Sequence, residues 1–358
     1  MNKTNLIEEA LKNCGQLIVT GFQGKVLSDE TAAFLSQANL GGIIYFSHNY
    51  ESPVQIAKLS EEIQRCSSEL PFWISVDQEG GRVQRFKEGF TRIPDAATIG
   101  RSKTPQACFK ISEMIAKELK AVGVNLNFYP VGDILVEPNN PAIGDRSFHS
   151  EEEEVTKRVT AAVRGHLVSG VQPCIKHFPG HGNTQVDSHD SIPVVNDSLE
   201  TLRQREFIPF VKVFRSRCSM VLVGHLLYPQ IDPEHPATFS KKILQDILRK
   251  ELRYDRIIVS DDMEMGAVTE KYGDEEAAVQ AILAGCELLL YRSEDKARLA
   301  YSAIRKAIEN NILDAKQVLE SIDKLKRLKE SDLDPYEAPS KESLRTLLNS
   351  PEHQDLVR

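Results

Sequence analysis

The sequence predicts an α/β fold, a (β/α)8 TIM-type barrel in a single domain with extra helices at its C-terminal end. Short apolar runs alternate with longer amphipathic stretches along the 358 residues, and there are eight such runs. The runs are apolar without interruption, as expected of parallel strands that are covered on both faces. An open doubly wound sheet would produce the same alternation and is the alternative fold.

The predicted elements follow one another regularly along the chain. The predicted strands are residues 17–22, 42–46, 72–76, 124–131, 171–175, 220–224, 256–259 and 288–291. Helix-like segments with apolar residues at helical spacing include residues 53–67, 105–122, 151–168, 240–252 and 275–284. Two further helices are predicted within 293–329. The barrel domain is therefore expected to cover residues 1–330, and residues 331–358 are expected to form a polar, proline-containing linker and a short last helix.

Composition and charge restrict the possible partners. The chain is 41% hydrophobic and 27% charged, which is typical of a globular protein. Its formal net charge is -8 and it has no lysine- or arginine-rich block, so we expect no nucleic-acid partner. Because no run of about 18 apolar residues and no signal-peptide pattern occurs, we expect no membrane association and a cytoplasmic location. The sequence does not specify an oligomeric state.

The six cysteines do not form a recognisable pattern. They are Cys14, Cys66, Cys108, Cys174, Cys218 and Cys286. They lie far apart, and several are in apolar segments. We therefore interpret them as small buried hydrophobic residues rather than as disulfide partners or zinc ligands.

Polar side chains recur where the apolar runs end, which in a barrel would bring them to one rim. These residues are His48, Asp77, Asp133, Lys176, His177, His225 and Asp261. Asp77 is followed by a paired glycine turn and by Arg85. Its carboxylate could accept hydrogen bonds from two vicinal hydroxyls, and Arg85 could donate to ligand oxygens in a fork geometry. The alternative is a glycine turn with a solvated ion pair.

Two further loops carry candidate residues. Arg146 lies beside a glycine after the fourth run and is predicted to enter the site, although an Asp145–Arg146 surface salt bridge is the alternative. Residues 176–190 contain one proline and two glycines close together, so we expect them to form a shaped loop and neither helix nor strand. His177 and His181 have the i, i+4 spacing of some zinc sites. The intervening Pro-Gly precludes the helix that this spacing requires, so no metal site is expected.

Two carboxylate motifs indicate acid–base and nucleophilic chemistry. Asp187 stands two residues before His189, where it could fix the imidazole tautomer and stabilise a protonated ring that acts as a general acid. Asp261 and Asp262 end the seventh run. Alternation along a strand predicts that only one of the two points into the barrel mouth, where it could act as a nucleophile, while its neighbour caps the following helix. Helix capping alone is the alternative for this pair.

These motifs resemble the single-domain β-N-acetylglucosaminidases of glycoside hydrolase family 3, which act in bacterial cell-wall recycling. The resemblance covers about residues 15–300 and rests on segments 76–85, 144–148, 176–189, 236–240 and 260–263. The Lys-His-Phe-Pro-Gly-His-Gly sequence followed by Asp-Ser-His is typical of the glucosaminidase branch and not of the β-glucosidase branch. One departure is Asn183, where the family usually has aspartate, and we expect a local hydrogen-bond adjustment without loss of activity.

The resemblance implies a role for each candidate residue. It implies Asp261 as the nucleophile, His189 as the acid/base and Asp187 as its partner in a dyad. The implied sugar-binding residues are Asp77, Arg85, Arg146, Lys176 and His177, and no cofactor or metal is implied. The β-glucosidase branch takes its acid/base from a second domain, for which this chain has no room, so the acid is expected from the barrel.

The reaction that the resemblance implies is retaining hydrolysis of a small carbohydrate or muropeptide substrate, with release of terminal N-acetylglucosamine through a glycosyl-aspartate. Three alternatives remain at this point. A β-N-acetylglucosaminide phosphorylase would use the same site, because a neutral imidazole tolerates incoming phosphate better than a carboxylate would. A metal-dependent hydrolase is a second alternative, and a catalytically silent sugar-binding protein is a third.

Overall fold

Eight parallel strands close into a barrel in which each strand pairs with its sequence neighbour and the last pairs with the first. The structure, a computed structural model, describes residues 3–67, 69–184, 192–269 and 271–358. The barrel strands are β1 (Ile18–Thr20), β2 (Gly42–Tyr45), β3 (Trp73–Val76), β4 (Leu126–Asn127), β5 (Gln172–Phe178), β6 (Met220–Val223), β7 (Ile257–Asp262) and β8 (Leu288–Tyr291). The predicted (β/α)8 barrel is confirmed, and the alternative of an open sheet is wrong.

The strands form where the sequence is continuously apolar because both of their faces are buried. Every residue of β6 and of β8 is buried, as are all four residues of β3. Side chains that point inward fill the barrel, and those that point outward pack beneath the surrounding helices. The buried strand residues and the apolar faces of the helices belong to one continuous hydrophobic core.

The largest differences from the predicted strand boundaries are in β4, β5 and β7. β4 holds two residues where eight were expected, because side-chain amides replace part of the backbone ladder. The Oδ1 atoms of Asn125 and Asn127 accept the backbone N–H groups of Ile74 and Gln78, each at 2.9 Å. β5 and β7 instead extend past their apolar runs into charged residues. Residues 176–178, which were expected to be loop, are therefore strand.

Helices surround the barrel and continue beyond it. They are α1 (Lys3–Asn13), α2 (Asp29–Gln37), α3 (Pro53–Gln64), α4 (Ala96–Ser102), α5 (Pro105–Ala121), α6 (Glu152–Val168), α7 (Leu199–Gln204), α8 (Phe207–Arg215), α9 (Gly266–Thr269), α10 (Asp274–Ala284), α11 (Glu294–Glu309), α12 (Ala315–Asp332), α13 (Lys341–Thr346) and α14 (Pro351–Val357). A π-helix occupies Lys242–Glu251 between β6 and β7. The C-terminal linker thus leads to two short helices, not to one.

Several helices begin at sequence signals that are easy to recognise. Ser52 and Thr104 cap α3 and α5, and each accepts the backbone N–H three residues further on. Pro53 and Pro105 follow at the first helical position, where the missing N–H is not needed and the fixed φ suits a helix. These pairs explain why the starts of both helices agree with the prediction.

A buried carboxylate on α5 helps to join the C-terminal helices to the barrel. Glu118 accepts hydrogen bonds from Asn349 N and His353 Nδ1, both at 2.9 Å. The same carboxylate accepts from Thr91 N at 3.0 Å and from Thr91 Oγ1 at 2.6 Å. Thr91 belongs to the segment that follows Arg85. The C-terminal helices and this segment near the candidate site therefore both donate hydrogen bonds to the carboxylate of Glu118.

Two sequence expectations concern the whole chain. Within the described ranges, no helix has the length and apolar character needed to cross a bilayer. All six cysteines are free, and five of them are buried while Cys66 is half-buried. The interpretation of the cysteines as small apolar residues without disulfide partners agrees with this arrangement.

A lysine of α12 is fully buried at the end of the barrel opposite the candidate site. Lys329 Nζ donates to Gln16 Oε1 at 2.9 Å and to the Gly41 carbonyl oxygen at 2.8 Å. Both acceptors are neutral. Burial, together with the nearby charge of Lys326, lowers the pKa of Lys329 from 10.5 to about 7.

Lys329 makes a specific contribution to the pH dependence of stability. Between about pH 7 and pH 10.5 the unfolded chain binds a proton on this lysine that the folded chain does not. The free energy of unfolding should therefore rise with pH across this window, by at most about 1.4 kcal/mol per pH unit for one proton. Lys329→Met should remove this increment when urea unfolding of wild type and variant is compared from pH 7 to pH 10. Parallel pH dependences in the two proteins would contradict the assignment.

Candidate active site

A cavity of about 280 Å³ opens at the C-terminal ends of the strands. It is near the lower end of the range for ligand sites, roughly 300 to 1,000 Å³, and so suits a ligand the size of one sugar ring. Six of the residues predicted from sequence line it, namely Asp77, Arg85, Arg146, Lys176, His177 and Asp261. The structure therefore brings together residues that are up to 184 positions apart in the chain.

Irregularities in two strands determine which side chains reach the cavity. Between Ile175 and Phe178, β5 uses three residues where β6 uses two, which is the pattern of a β-bulge. Lys176 and His177, joined by a cis peptide bond, therefore both line the cavity. β7 shows the same pattern between Val259 and Asp262 against β8.

The second bulge corrects one expectation. Strict alternation would allow only one of Asp261 and Asp262 to face the barrel mouth. Both line the cavity, because the extra residue in β7 interrupts the alternation. The prediction that only one of the two carboxylates faces the barrel mouth is therefore wrong.

A buried cluster of charges lies on one side of the cavity and is centred on Glu79. The two oxygens of Glu79 accept from Arg146 Nη2 at 2.8 Å and from Arg146 Nε at 2.9 Å, which is a bidentate pair. Lys176 Nζ lies 2.7 Å from Glu79 Oε1. Burial alone would raise the pKa of Glu79, but Arg146 and Lys176 outweigh it and hold that pKa far below its usual value. Glu79 is thus a permanently charged counter-ion for two buried cations.

Asp77 occupies the edge of this cluster nearest the cavity. One carboxylate oxygen is 2.6 Å from Lys176 Nζ, and the other is 3.4 Å from Arg85 Nη2. Although burial opposes it, the charges of Lys176 and Arg85 lower the pKa of Asp77. Burial would likewise lower the pKa of Lys176, but Asp77 and Glu79 raise it. The site therefore presents a carboxylate and an ammonium group that are both ionised at neutral pH.

His177 is held in a defined tautomer by a buried aspartate. Asp133 Oδ2 lies 2.7 Å from His177 Nδ1 and also accepts the His177 backbone N–H at 3.1 Å. Its other oxygen accepts the backbone N–H of His181 at 2.6 Å. A proton on Nδ1 leaves Nε2 of a neutral ring as an acceptor, and Arg146 Nη2 is 3.4 Å from Nε2.

Asp261 is the carboxylate at the end of β7. Its Oδ1 accepts the backbone N–H of Asp262 at 2.8 Å. Burial would raise its pKa, but His177, His225 and the backbone N–H lower it below the usual value. A carboxylate that is ionised and held beneath a small cavity can attack an electrophilic carbon or stabilise a developing positive charge.

Asp262 has a different environment. Its Oδ2 is 2.7 Å from Arg292 Nε, and its Oδ1 accepts the backbone N–H of Glu264 at 3.0 Å. Burial raises the pKa of Asp262 to about 6 in spite of Arg292. Asp262 caps the turn that precedes α9. The expected capping therefore occurs at this turn and not at the helix.

The candidate acid–base pair, Asp187 and His189, lies outside the described residues. The loop position that departs from the family, Asn183, is described. Its Nδ2 donates at 2.8 Å to Asp197 Oδ2, the same oxygen that Arg205 Nη2 approaches at 2.7 Å. The amide of Asn183 donates to the carboxylate of Asp197. An aspartate at position 183 could make this contact only if the two carboxylates shared a proton. The expectation that activity is kept with asparagine at this position stays a prediction.

Some residues expected at the rim have other roles. Among the described residues, His48 is not part of the cavity lining, and its Nε2 lies 3.0 Å from the Phe22 carbonyl oxygen. Asp145 pairs at the surface with Arg82 at 2.9 Å, whereas Arg146 points inward. The alternative of an Asp145–Arg146 surface pair is therefore wrong.

Sequence reasoning missed Glu79, assigned no role to Asp133 and did not find several lining residues. Those lining residues are Phe46, Arg82, Met265, Tyr291 and Arg292. Glu79 could have been found, because it is two positions from Asp77 and side chains at this spacing in extended backbone share a face. Asp133 was placed at a strand end, but its partner His177 is 44 positions away.

The two histidines with zinc-like spacing, His177 and His181, have neighbouring rings. Their rings are 5.8 Å apart at the centroids, and His181 Nδ1 is 2.9 Å from Thr184 Oγ1. Burial lowers the pKa of His181 to about 4, so its ring is neutral. In the part of the chain that the structure describes, no group of three or more His, Cys, Asp or Glu side chains is arranged to hold a metal ion.

Comparison with known proteins gives a consistent result. Residues 9–328 match the family model described as the glycosyl hydrolase family 3 N terminal domain. A β-hexosaminidase of Nitrosomonas eutropha is 39% identical over 273 residues, which are 75% of this chain and 78% of the relative. Beta-hexosaminidase A of Pseudoalteromonas piscicida is 32% identical over 92% of this chain, and the chain spans 59% of its length.

Solved structures agree with the sequence comparison. A glycoside hydrolase family 3 β-N-acetylglucosaminidase from Paenibacillus superposes with a TM-score of 0.93 at 36% identity, covering 97% of this chain and 67% of that chain. The NagZ protein of Neisseria gonorrhoeae, solved with a zinc ion, has a TM-score of 0.77 at 29% identity and covers 95% of both chains.

The buried cluster yields a stability prediction. Glu79→Gln keeps the shape of the side chain but leaves Arg146 and Lys176 without their shared counter-ion, so the free energy of unfolding should fall by about 3–5 kcal/mol. Asp145→Asn is the matched control, because it breaks the solvent-exposed pair with Arg82 and should cost less than about 1 kcal/mol. Urea unfolding of the three proteins measures both values. Equal losses in the two variants would show that Glu79 does not have this role.

Proposed function

The chain belongs to glycosyl hydrolase family 3 and is a glycoside hydrolase, and we propose that it is a retaining exo-β-N-acetylglucosaminidase. A β-hexosaminidase activity is supported by the relatives, whose names specify it at 32–39% identity. The further elements of the proposal are the covalent intermediate, the histidine–aspartate dyad and a substrate derived from peptidoglycan.

One observation carries the proposal. An ionised aspartate, Asp261, lies at the end of a buried strand and lines a cavity of about 280 Å³ that is also lined by Asp77, Arg85 and Lys176. Retaining glycosidases need such a carboxylate beneath the sugar, together with fixed hydrogen-bonding groups that orient the hydroxyls. A sugar-binding protein without activity would not need an ionised, desolvated carboxylate at this position.

In the proposed first step, a carboxylate oxygen of Asp261 attacks the anomeric carbon while the bond from that carbon to the leaving oxygen breaks. His189 gives its proton to the leaving oxygen, and Asp187 stabilises the protonated imidazole beforehand. The products are the glycosyl-aspartate and the free alcohol. The assignment of Asp187 and His189 rests on the sequence motif.

In the second step, water attacks the anomeric carbon and the bond to Asp261 breaks. His189, now neutral, takes the proton of the water and returns to its starting state. The configuration at the anomeric carbon is retained because two displacements occur. A histidine in this role avoids placing a second negative charge close to Asp261.

The remaining cavity residues are proposed to hold the sugar ring. Asp77 is ionised and accepts from two cations on one side, so its exposed lone pairs can accept hydroxyl protons. Lys176 and Arg85 can donate to the same hydroxyl oxygens. Arg146 lines the cavity, donates to Glu79 and to the Ala142 carbonyl oxygen, and lies 3.4 Å from His177 Nε2. We propose that it orients His177 and donates a further N–H group to the sugar.

The proposed natural substrate is a muropeptide fragment of peptidoglycan, a choice that rests on the Lys-His-Phe-Pro-Gly-His-Gly segment and the subsequent Asp-Ser-His. A cytoplasmic location belongs to the same proposal. It is supported by six unpaired cysteines, which suit a reducing compartment.

The proposal predicts turnover of an aryl β-N-acetylglucosaminide, with little turnover of the matching β-glucoside. Rates should be independent of phosphate, and the first-formed sugar should be the β-anomer of N-acetylglucosamine by NMR. A rate that rises with phosphate and yields sugar 1-phosphate would replace the hydrolase with a phosphorylase. Binding of the glycoside without any product would support a silent sugar-binding protein, and loss of activity with a chelator would indicate a metal-dependent hydrolase.

Asp261→Ala tests the nucleophile within the same assay. It should reduce kcat by at least about a thousandfold, because no group would remain to form the covalent intermediate. Asp255→Ala is the control, since Asp255 is an exposed residue just before the other end of the same strand and should leave the rate unchanged. Near-normal activity of Asp261→Ala would overturn the assignment.

His189→Ala tests the acid. Substrates with poor leaving groups should lose about 10² to 10⁴ in kcat/KM, the usual contribution of a general acid. An activated nitrophenyl leaving group departs without protonation, so its glycosylation step should change far less. Steady-state rates across a series of phenols with different pKa values provide the measurement. Equal losses across that series would count against His189 as the acid.

A further inference from the structure

One buried titratable side chain next to the site has no step in the proposed reaction. His225 lies just after β6 and is fully inaccessible to solvent. Its Nδ1 is 2.8 Å from Thr238 Oγ1, and its Nε2 is 3.0 Å from the backbone carbonyl oxygen of Asp262. Thr238 is also fully buried, in the short 3-10 helix Ala237–Phe239. This helix lies in segment 236–240, a motif that the reaction does not use either.

The contacts of His225 define its protonation. A carbonyl oxygen can only accept, so Nε2 must carry the proton that it donates to Asp262. Nδ1 of the neutral ring is then an acceptor, and the Thr238 hydroxyl must donate to it. The other contacts of Thr238 Oγ1, with the carbonyl oxygens of Val223 and Gly224, are longer at 3.4 and 3.3 Å. Burial lowers the pKa of His225 even though Asp261 opposes this, which favours the neutral ring.

The ring is also fixed in orientation. The ring of Phe239 is nearly parallel to it, with an angle of 11° and 6.3 Å between centroids. The neighbouring backbone is tied down by the hydrogen bond from Ala237 N to the Leu226 carbonyl oxygen at 2.7 Å. Thr238 and His225 therefore form a fixed unit in which His225 Nε2 donates to the Asp262 carbonyl oxygen.

His225 contacts Asp262, the residue whose backbone N–H binds the candidate nucleophile Asp261. The N–H of Asp262 donates to Asp261 Oδ1 at 2.8 Å, while the carbonyl group of Asp262 accepts from His225. Asp262 lies in the bulge of β7, where the regular ladder is interrupted. The Asp262 carbonyl oxygen also accepts the backbone N–H of Met265 at 3.1 Å, and His225 adds a side-chain hydrogen bond to the same atom.

We propose that His225, oriented by the hydroxyl of Thr238, is a positioning residue that holds the Asp261 carboxylate in line for attack on the anomeric carbon. This inference rests on the proposed function. It assigns the 236–240 motif a role in rate and not in sugar binding, because neither His225 nor Thr238 is among the described residues that line the cavity.

Substitutions at Thr238 provide the test in the full-length protein. Thr238→Val keeps the branched shape but removes the hydroxyl, so His225 can rotate or change tautomer. We expect kcat for an aryl β-N-acetylglucosaminide to fall about tenfold to a hundredfold, the range expected for a small misplacement of a reacting group. The inhibition constant of N-acetylglucosamine should stay within about twofold. Thr238→Ser retains the hydroxyl and should recover most of the wild-type kcat.

The outcomes separate this proposal from a merely structural role. Wild-type kcat in Thr238→Val would overturn it, and so would a parallel loss of kcat and inhibitor affinity in Thr238→Val and Thr238→Ser. His225→Phe, which keeps the stacking with Phe239, should lose at least as much kcat as Thr238→Val. Thermal unfolding identifies any variant that does not fold. If the wild type fails to hydrolyse the substrate, the proposed function fails, independently of Thr238.

Discussion

The ion pairs between Glu79 and the two cations Arg146 and Lys176 are the interaction on which the candidate site depends. A lysine and an arginine removed from water at a barrel mouth would each lose several kcal/mol of hydration unless a counter-ion replaces it. Glu79 supplies that counter-ion with three contacts of 2.7–2.9 Å. With Lys176 kept protonated, its field reaches both Asp77 and Asp261 and lowers the pKa of each. The ionised state of Asp261, the candidate nucleophile, thus depends in part on Glu79, a carboxylate that has no step in the proposed reaction.

The barrel could be predicted from sequence because eight continuous apolar runs are what strands covered on both faces require. The ends of β4 and β5 could not be predicted in the same way, because side-chain contacts shorten the first strand and lengthen the second. β4 is short because the side chains of Asn125 and Asn127 occupy donors that the backbone ladder would otherwise use. β5 is long because Lys176, which by itself indicates a strand end, has buried partners about 100 residues earlier in the chain.

Only part of the candidate site could be predicted from the sequence. Motif spacing identified Asp77, Arg146 and Asp261, since local sequence carries that information. The opposite directions of the neighbours Asp145 and Arg146 depend on Arg82 and Glu79, which no local pattern links to them. Asp133 shows the same limit, because a carboxylate at a strand end has no visible role until folding brings His177 to it.

The two bulges explain how a regular barrel can present so many functional groups within one small cavity. A regular strand sends only every second side chain to a given face, so the last two residues of a strand contribute one group to the mouth. In β5 and β7 the extra residue lets two consecutive polar side chains face the cavity, Lys176 with His177 and Asp261 with Asp262. Backbone hydrogen bonds still hold both segments, from Lys176 N to the Pro130 carbonyl oxygen at 3.1 Å and from Met263 N to the Leu290 carbonyl oxygen at 2.9 Å. Side chains add further hydrogen bonds to the backbone, Asp133 at the first bulge and His225 at the second. The buried polar residues behind the site therefore reinforce the backbone where the regular strand pairing shifts.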